Sequence, residues 1–216
     1  MHPDELPPPV DTEELEQLKC GGEQAVAELF SKYRDRLERM VSFRLDRRLY
    51  GRIDADDVLQ EAYLEVARRI GDYLQEPYAS FFVWARQITW QTLLMAHRRH
   101  LGVQKRDAGL EVALHRRGVG DATSMSLAAH LVAHLTSPSQ AVIREERYAQ
   151  LREALRQMDE IDREVLALRH FEHLGNNEVA EVLGIQPKAA SNRYIRALKR
   201  LQEIVTAMPE ILDGLR

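Results

Sequence analysis

The chain has 216 residues, with 34 acidic and 30 basic side chains and a formal net charge of -4. That length allows one large domain or two small ones, and 30% charged with 44% hydrophobic residues suits a soluble globular chain with much solvated helix surface. No apolar run approaches the ~18 residues of a membrane span, and the acidic, proline-rich start is unlike a signal peptide.

Cys20 stands alone, so neither a disulfide framework nor a cysteine-built zinc site can form within one chain. A reducing cytoplasm is the expected compartment. A free-standing DNA binder usually carries a clear basic excess, because phosphate neutralisation supplies most of its affinity. This chain lacks one, so DNA contact has to come from local basic stretches, with a partner supplying the rest of the affinity.

Residues 1 to 11 hold four of the eight prolines and read as a frayed tail. Asp11, with Glu14 three residues on, can cap a short helix that Gly21-Gly22 ends. From Glu23, Val26, Leu29, Phe30, Tyr33, Leu37, Met40 and Val41 recur at helical spacing, predicting a helix to about Leu49. Asp54 can cap the next helix, with Val58, Leu59, Ala62, Tyr63, Val66 and Ile70 on one side. Asp56, Asp57, Gln60, Glu61, Glu65 and Arg68 lie on the other.

Gly71 to Ser80, containing Pro77, reads as a loop. A long helix follows from about Phe81 to His100, with Trp84, Ile88, Thr92 and Met95 facing the core and Trp90 turned about 240° away from Trp84. These helices form one bundle over roughly the first hundred residues. Residues 101 to 136, broken by Gly102, Gly109, Gly118 and Gly120, read as a linker in which Met125 to Leu135 could form a weak helix. Ser137, Pro138 and Gln140 then give a helix start. Tyr148, Leu151, Leu155 and Met158 mark one helix, and Ile161, Val165, Leu168 and Phe171 another. No strand alternation or 20–50-residue repeat occurs. The expected architecture is all-α: two small helical domains joined by a linker.

The segment NNEVAEVLGIQPKAASNRYIRALKRL (Asn176 to Leu201) carries the sharpest signal. A short helix, Glu178 to Leu183, ends at Gly184; Ile185 plugs the turn and Pro187 opens a second helix, which is helix-turn-helix spacing. In the second helix Ala190, Tyr194, Ala197 or Leu198, and Leu201 face inward. Lys188, Ser191, Asn192, Arg193, Arg196, Lys199 and Arg200 remain outside. Residues 188 to 200 hold five basic side chains and no acidic one. Asn can pair with adenine, Arg with guanine, and Ser or Lys with phosphate, so the chemistry suits a major-groove reader; the plainer reading is a solvated basic face.

The blocks DADDVLQEAYLEVARRI, SFFVWARQITWQTLLMAHRRH and ALRQMDEIDREVLALRHFEHLGNNEVAEVLGIQPKAASNRYIRALKRL resemble an extracytoplasmic-function bacterial RNA polymerase sigma factor. The resemblance covers about residues 23 to 100 and 137 to 205, in family order. It implies a first domain (23–100) that binds the polymerase clamp and recognises and melts the promoter −10 element. It implies a second (137–205) that binds the flap and reads the −35 element, with 101–136 as linker and 1–22 and 206–216 as terminal pieces. Asp57, Gln60 and Glu61 would sit on the clamp-binding helix, where i, i+3 and i+4 spacing makes one polar face for a partner's Arg or Lys.

The Asp72 to Ser80 loop would capture an unstacked base, on which Tyr73 or Tyr78 could stack and with which Gln75 could hydrogen-bond. Arg86, Gln87, Trp90, Gln91, His97 and Arg98 would continue the −10 surface. Lys188, Ser191, Asn192, Arg193, Arg196, Lys199 and Arg200 would serve the −35 element. Family members often carry a basic residue at the position of Trp90, Asn at that of Gln91, and Gly-Thr-Val where this chain has Lys188-Ala189-Ala190. The base preferences therefore do not carry over.

The resemblance implies core RNA polymerase and promoter DNA as partners and makes an anti-sigma factor plausible. The competing reading is a stand-alone helix-turn-helix regulator that binds operators as a symmetric dimer, which would not need the Asp57, Gln60 and Glu61 face. An enzyme is not expected. His97 with His100 and His170 with His173 are i, i+3 pairs without an HExxH arrangement or a supporting cysteine, and no phosphate loop or nucleophile elbow occurs. No cofactor or metal is expected.

Overall fold

The computed structural model describes residues 11–101, 123, 124, 126–131 and 141–208. Among them every regular element is helical: α1 (Thr12–Arg44), a 3-10 turn (Arg47–Leu49), α2 (Ala55–Gln75), α3 (Phe81–Leu101), α4 (Ala141–Arg156), α5 (Glu160–His170), α6 (Asn176–Leu183) and α7 (Pro187–Thr206). Residues 123, 124 and 126–131 are helical as well. The chain divides into two compact units, Met1–Gln104 and Lys105–Arg216, in keeping with the expected all-α, two-domain architecture. No helix among the described residues is long and apolar enough to cross a membrane.

In the first unit, Asp11 caps α1 by accepting the backbone N–H groups of Glu13 (3.0 Å) and Glu14 (3.3 Å). The two helices expected around Gly21-Gly22 are one element broken at Gly22 (φ 55, ψ -137), a conformation that side-chain-bearing residues avoid. The break folds the first turns back along the remainder of α1. Buried Glu14 accepts from Lys32 Nζ and Tyr33 Oη, both at 2.6 Å. Burial, reinforced by the Glu14 bond, pushes the Tyr33 hydroxyl up to about 12.

The helix stops at Arg44 rather than near Leu49. Leu45 turns extended (φ -66, ψ 124), and the Asp46 carboxylate takes the backbone N–H of Arg48 (2.9 Å) and its guanidinium (2.7 Å). A short acidic side chain here offers the backbone a local partner that competes with the helix. The Asp46 N–H donates to His97 Nε2 on α3 (3.3 Å), so this imidazole is a neutral acceptor at a helix junction. Burial first, and then the Arg48 charge, lower its pKa against the opposing pull of Asp46.

Asp54 caps α2 in a reciprocal box with Asp57. The helix then runs through Gly71 to Gln75, which corrects the expected loop from Gly71. Tyr73 is the reason: its ring stacks on Trp84 at 4.5 Å, and its hydroxyl donates to the Ala79 carbonyl (2.9 Å). The helix ends at Gln75, and Glu76, directly before Pro77, leaves the α region (φ -140, ψ 78), as steric conflict with the proline ring demands.

Helix α3 is buried on most sides. Phe81, Phe82, Val83, Trp84, Ala85, Ile88, Trp90, Leu93 and Ala96 are all core residues, whereas Met95, expected inside, is exposed. A helix surrounded by its neighbours has no single apolar face. Reading one face from spacing therefore placed both Trp90 and Met95 on the wrong side. Thr89 and Thr92 satisfy their buried hydroxyls on the carbonyls of Ala85 and Ile88.

In the second unit, Leu151, Leu155, Val165, Leu166, Ala167 and Leu168 form the core with Val179, Ala180, Ala190 and Ala197. Asp159 caps α5 by accepting from the backbone N–H of Ile161 (3.0 Å) and Asp162 (3.4 Å). Arg163 Nη1 donates to the carbonyls of Leu155, Arg156 and Met158, closing the C-terminal end of α4.

Part of the expected linker is packed helix. Thr123, Ser124, Leu127 and Ala128 are buried, Thr123 Oγ1 donates to Glu164 Oε2 (2.7 Å), and the His130 ring meets Phe171 edge-on at 5.1 Å. The Ser137-Pro138 helix start lies outside the described residues.

Two outcomes follow. Gly22→Ala forces an alanine into the backbone of the α1 break and lowers stability by roughly 1–3 kcal/mol, read as a fall in the thermal midpoint. Because the folded pKa of His97 is depressed, its contribution is present above the ordinary histidine value and is lost as pH falls below it. Stability accordingly declines between about pH 7 and pH 5. His97→Gln, which keeps an acceptor for the Asp46 N–H, flattens that decline in a pH series of denaturant melts.

Candidate nucleic-acid interface

The α2 polar face starts from its cap. Asp54 accepts from the Asp57 N–H (2.9 Å) and Asp57 accepts from the Asp54 N–H (3.0 Å), so Asp57 is exposed but already serves the helix start. Asp56 pairs with Arg34 (2.8 Å) and Glu61 with Arg99 (3.0 Å). Gln60 is exposed and makes no hydrogen bond within the described residues.

One turn further, Leu64 is 66% exposed on this otherwise polar face, and Met95 of α3 lines the same shallow groove. Arg68 (2.7 Å) and Arg69 (2.8 Å) flank it, both paired with Glu65, whose carboxyl they hold below its ordinary range, Arg68 most strongly. The sequence carries a signal for it, an apolar residue at helical spacing among Gln60, Glu61, Glu65 and Arg68.

The residues expected to meet the −10 element divide into two groups. Tyr73, Arg86 and Trp90 are buried, and the outward placement of Trp90 is corrected: its ring packs under the buried Arg44 guanidinium at 5.1 Å. A buried cation beside an indole face is held by the ring quadrupole. Neither Tyr73 nor Trp90 offers a free ring face to a base in this conformation.

Gln75, Tyr78 and Arg98 are exposed, and Gln87 and Gln91 are half-buried. Tyr78 Oη donates to Gln87 Oε1 (3.0 Å), which ties the loop tyrosine to α3; burial raises the Tyr78 pKa. Arg69 donates to Gln91 Oε1 (3.2 Å). Tyr78, Gln87 and Gln75 are thus the polar and aromatic groups that this unit still presents beside its loop.

In the second unit, the turn has the expected construction. Glu178 Oε2 accepts the Gly175 N–H (2.8 Å) at the start of α6. Gly184 sits in the left-handed region (φ 62), and the Ile185 N–H returns to the Ala180 carbonyl (2.9 Å), a helix stop that glycine allows without strain. Pro187 then takes the first position of α7. Ser191 Oγ donates to Asn176 Oδ1 (3.0 Å), and Asn176 Nδ2 donates to the Pro187 carbonyl (2.9 Å), fixing the angle between α6 and α7.

On α7, Ala190 and Ala197 are fully buried, whereas Tyr194, Leu198 and Leu201 are half-buried. Ala197 is therefore the deeper of the two inward candidates. Lys188, Asn192 and Lys199 are exposed with no hydrogen bond or ion pair among the described residues. Arg200 pairs with Glu203 (2.9 Å). Arg196 makes a bidentate pair with Asp162 (Nε to Oδ2, 2.6 Å; Nη2 to Oδ1, 2.7 Å). Arg193 Nη1 donates to Asp162 Oδ1 (3.0 Å) and Asp159 Oδ1 (3.2 Å). These partners lie 31 to 34 residues apart in the chain, so only the fold brings them together.

The histidine pairs are used locally. His97 accepts from Asp46, and His170 Nε2 lies 3.1 Å from Tyr194 Oη. Among the described residues, no three His, Cys, Asp or Glu side chains are grouped to hold a metal ion.

The chain matches the Sigma-70 region 2 family over residues 29–101 and the Sigma-70 region 4 family over residues 148–201, together more than half of its length. It is 24% identical over 196 residues to the RNA polymerase sigma-H factor of Pseudomonas aeruginosa, covering 89% of this chain and 92% of that one. It is 25% identical over 191 residues to the RNA polymerase sigma factor CarQ of Myxococcus xanthus, covering 88% and 95%. A solved structure of CnrH in complex with the cytosolic domain of CnrY shares the fold, with a TM-score of 0.50 at 21% identity over 92% of this chain and 98% of that one. Two sigma-70 regions in their proper order, on two helical units that end in a helix-turn-helix, place this chain in the sigma-70 family as a sigma factor of the extracytoplasmic-function type.

Proposed function

We propose that the chain binds core RNA polymerase through the α2 face and directs it to promoters by reading the −10 element with its first unit and the −35 element with α7. The observation that carries this reading is the separation of charge. Asp54, Asp56, Asp57 and Glu61 gather on α2, and five basic side chains without an acidic one occupy residues 188 to 200 of a chain whose net charge is -4. An exposed acidic and polar helix face suits basic side chains of a protein partner. A local basic helix suits phosphate and base edges once polymerase supplies most of the non-specific affinity.

On the α2 face, Gln60 and Glu61 are the direct contacts, extended by Leu64, while Asp57 contributes through the helix start as well as through its charge. On the −10 side, Tyr78 is the tyrosine placed to stack on an unpaired base, with Gln75 and Gln87 as edge partners and Gln91 and Arg98 further along. Tyr73, Arg86 and Trp90 support that surface from beneath. On the −35 side, Lys188, Asn192 and Lys199 face outward, with Ser191, Arg193, Arg196 and Arg200 engaged in bonds of the chain's own. Holding flipped bases offsets an unstacking cost of a few kcal/mol per base, and no covalent step by this chain is required.

The functional division is a −10 unit over 23–100 and a −35 unit over 137–205, joined by 101–136, with 1–22 and 206–216 as terminal pieces. CnrH is held in a complex with the cytosolic domain of CnrY, which supports an anti-sigma partner for this chain and a site of action in the cytoplasm.

Co-elution with core RNA polymerase on size exclusion tests the reading. The wild-type chain forms a stable complex, and Gln60→Ala with Glu61→Ala weakens it by about tenfold or more. Far-ultraviolet circular dichroism of the same double variant separates loss of helix from loss of contact: the helix content stays at the wild-type level while the complex weakens. A well-folded chain that ignores polymerase but binds a palindromic operator as a dimer would show it to be a stand-alone regulator.

A further inference from the structure

We propose that Asp162 is an internal counter-anion for α7: it holds Arg193 and Arg196 in ion pairs with the protein and so restrains the free chain's affinity for DNA until phosphate displaces the carboxylate. This rests on the reading that α7 faces DNA.

The stripe on α7 is set by helical spacing. Lys188, Asn192, Arg196 and Lys199 stand at i, i+4, i+8 and i+11, which brings all four onto one face. Of the three cations on it, Lys188 and Lys199 have no anionic partner among the described residues, whereas Arg196 is held by both oxygens of Asp162. The Arg196 side chain is still 59% exposed, so its guanidinium lies at the surface; the Asp162 side chain is 6% exposed. Arg193 closes the other side, bridging Asp162 Oδ1 and Asp159 Oδ1 through one nitrogen.

Two properties distinguish this cluster from ordinary surface pairs. An exposed single pair is loosely held and adds little, but a bidentate Arg–carboxylate fork is directional and roughly twice as strong as a neutral hydrogen bond. Asp162 is also nearly inaccessible to water, so it cannot swing away and remain solvated. The fork takes Nε and Nη2 of Arg196, so its charge is already compensated by Asp162 and full engagement of a DNA phosphate exchanges one anion for another, which cancels much of the Coulombic gain. Two of the five cations between 188 and 200 are paired in this way with Asp162; a third, Arg200, makes only an exposed surface pair with Glu203.

The full-length protein is titrated onto a labelled non-promoter duplex at low salt. Asp162→Asn keeps the side chain's shape and removes its charge, and it tightens binding about fivefold. Arg196→Met weakens binding by less than about threefold in the wild-type chain and by about tenfold in the Asp162→Asn background, a coupling that a double-mutant cycle reads directly. A purely structural role for Asp162 changes the melting temperature but gives no such coupling.

The proposal is overturned if Asp162→Asn gives no gain, or if its gain persists without Arg193 and Arg196, since that is a general charge effect. It is overturned equally if Arg196→Met alone weakens wild-type binding about tenfold, because the arginine is then already on phosphate. This last arm decides the matter even if Asp162→Asn does not fold. Lys188→Ala is the control for the underlying reading. If it leaves affinity and salt dependence unchanged, α7 does not face DNA and both ideas fall; if it weakens binding without any 162–196 coupling, only the counter-anion falls.

Discussion

A chain with 34 acidic and 30 basic side chains can meet a polyanion only where its acids are kept off one surface. That constraint organises both units. In the second, Gly184 and Pro187 set the start of α7 within three residues, so a helix free of acids from 188 to 200 is presented as a body. In the first, the acids gather at the start of α2, where they cap the helix and favour its positive end; the same face is the one proposed to meet polymerase. Under that proposal the same residues serve folding and recognition, with Asp57, a partner in the capping box, as the clearest case.

The core explains why these surfaces hold their shape. Helix α3 runs through the first unit with aromatic rings on several sides. Trp84 packs against Tyr73, Trp90 against Arg44, and Phe82 against Tyr33 and the Arg36 guanidinium, the last at 3.8 Å. The loop after α2 is anchored from below by the Tyr73 hydroxyl on Ala79 and tied at its surface by Tyr78 on Gln87. The base capture proposed for this loop depends on such support, because a site held loosely loses binding energy to ordering.

Local chemistry was readable from the sequence. Asp11, Asp54, Gly22, Gly184 and Pro187 each act through neighbours within a few residues, and each stands where its spacing predicted. The face of α3 was not readable, because a helix buried on most sides carries no periodic contrast; Trp90 and Met95 were misplaced for that reason. The loop boundary moved because the packing of Tyr73 outweighs the weak helix propensity of Gly71. The arginines of α7 looked free because Asp162 lies a helix and a turn away, and only the fold brings it to them. Within the expected linker, where Met125 to Leu135 read as a weak helix, the described residues 126–131 are helical and Leu127 and Ala128 are buried, a packing that composition does not reveal.

The central claim is that this sigma factor recognises a promoter in two parts and only together with polymerase. The most direct measurement is selection of bound sequences from a random DNA library by core polymerase with the chain, by the chain alone and by core alone. The account predicts enrichment, with both present, of two short blocks at a fixed separation, and no comparable enrichment with either alone. A single palindromic block selected by the chain without polymerase would contradict it.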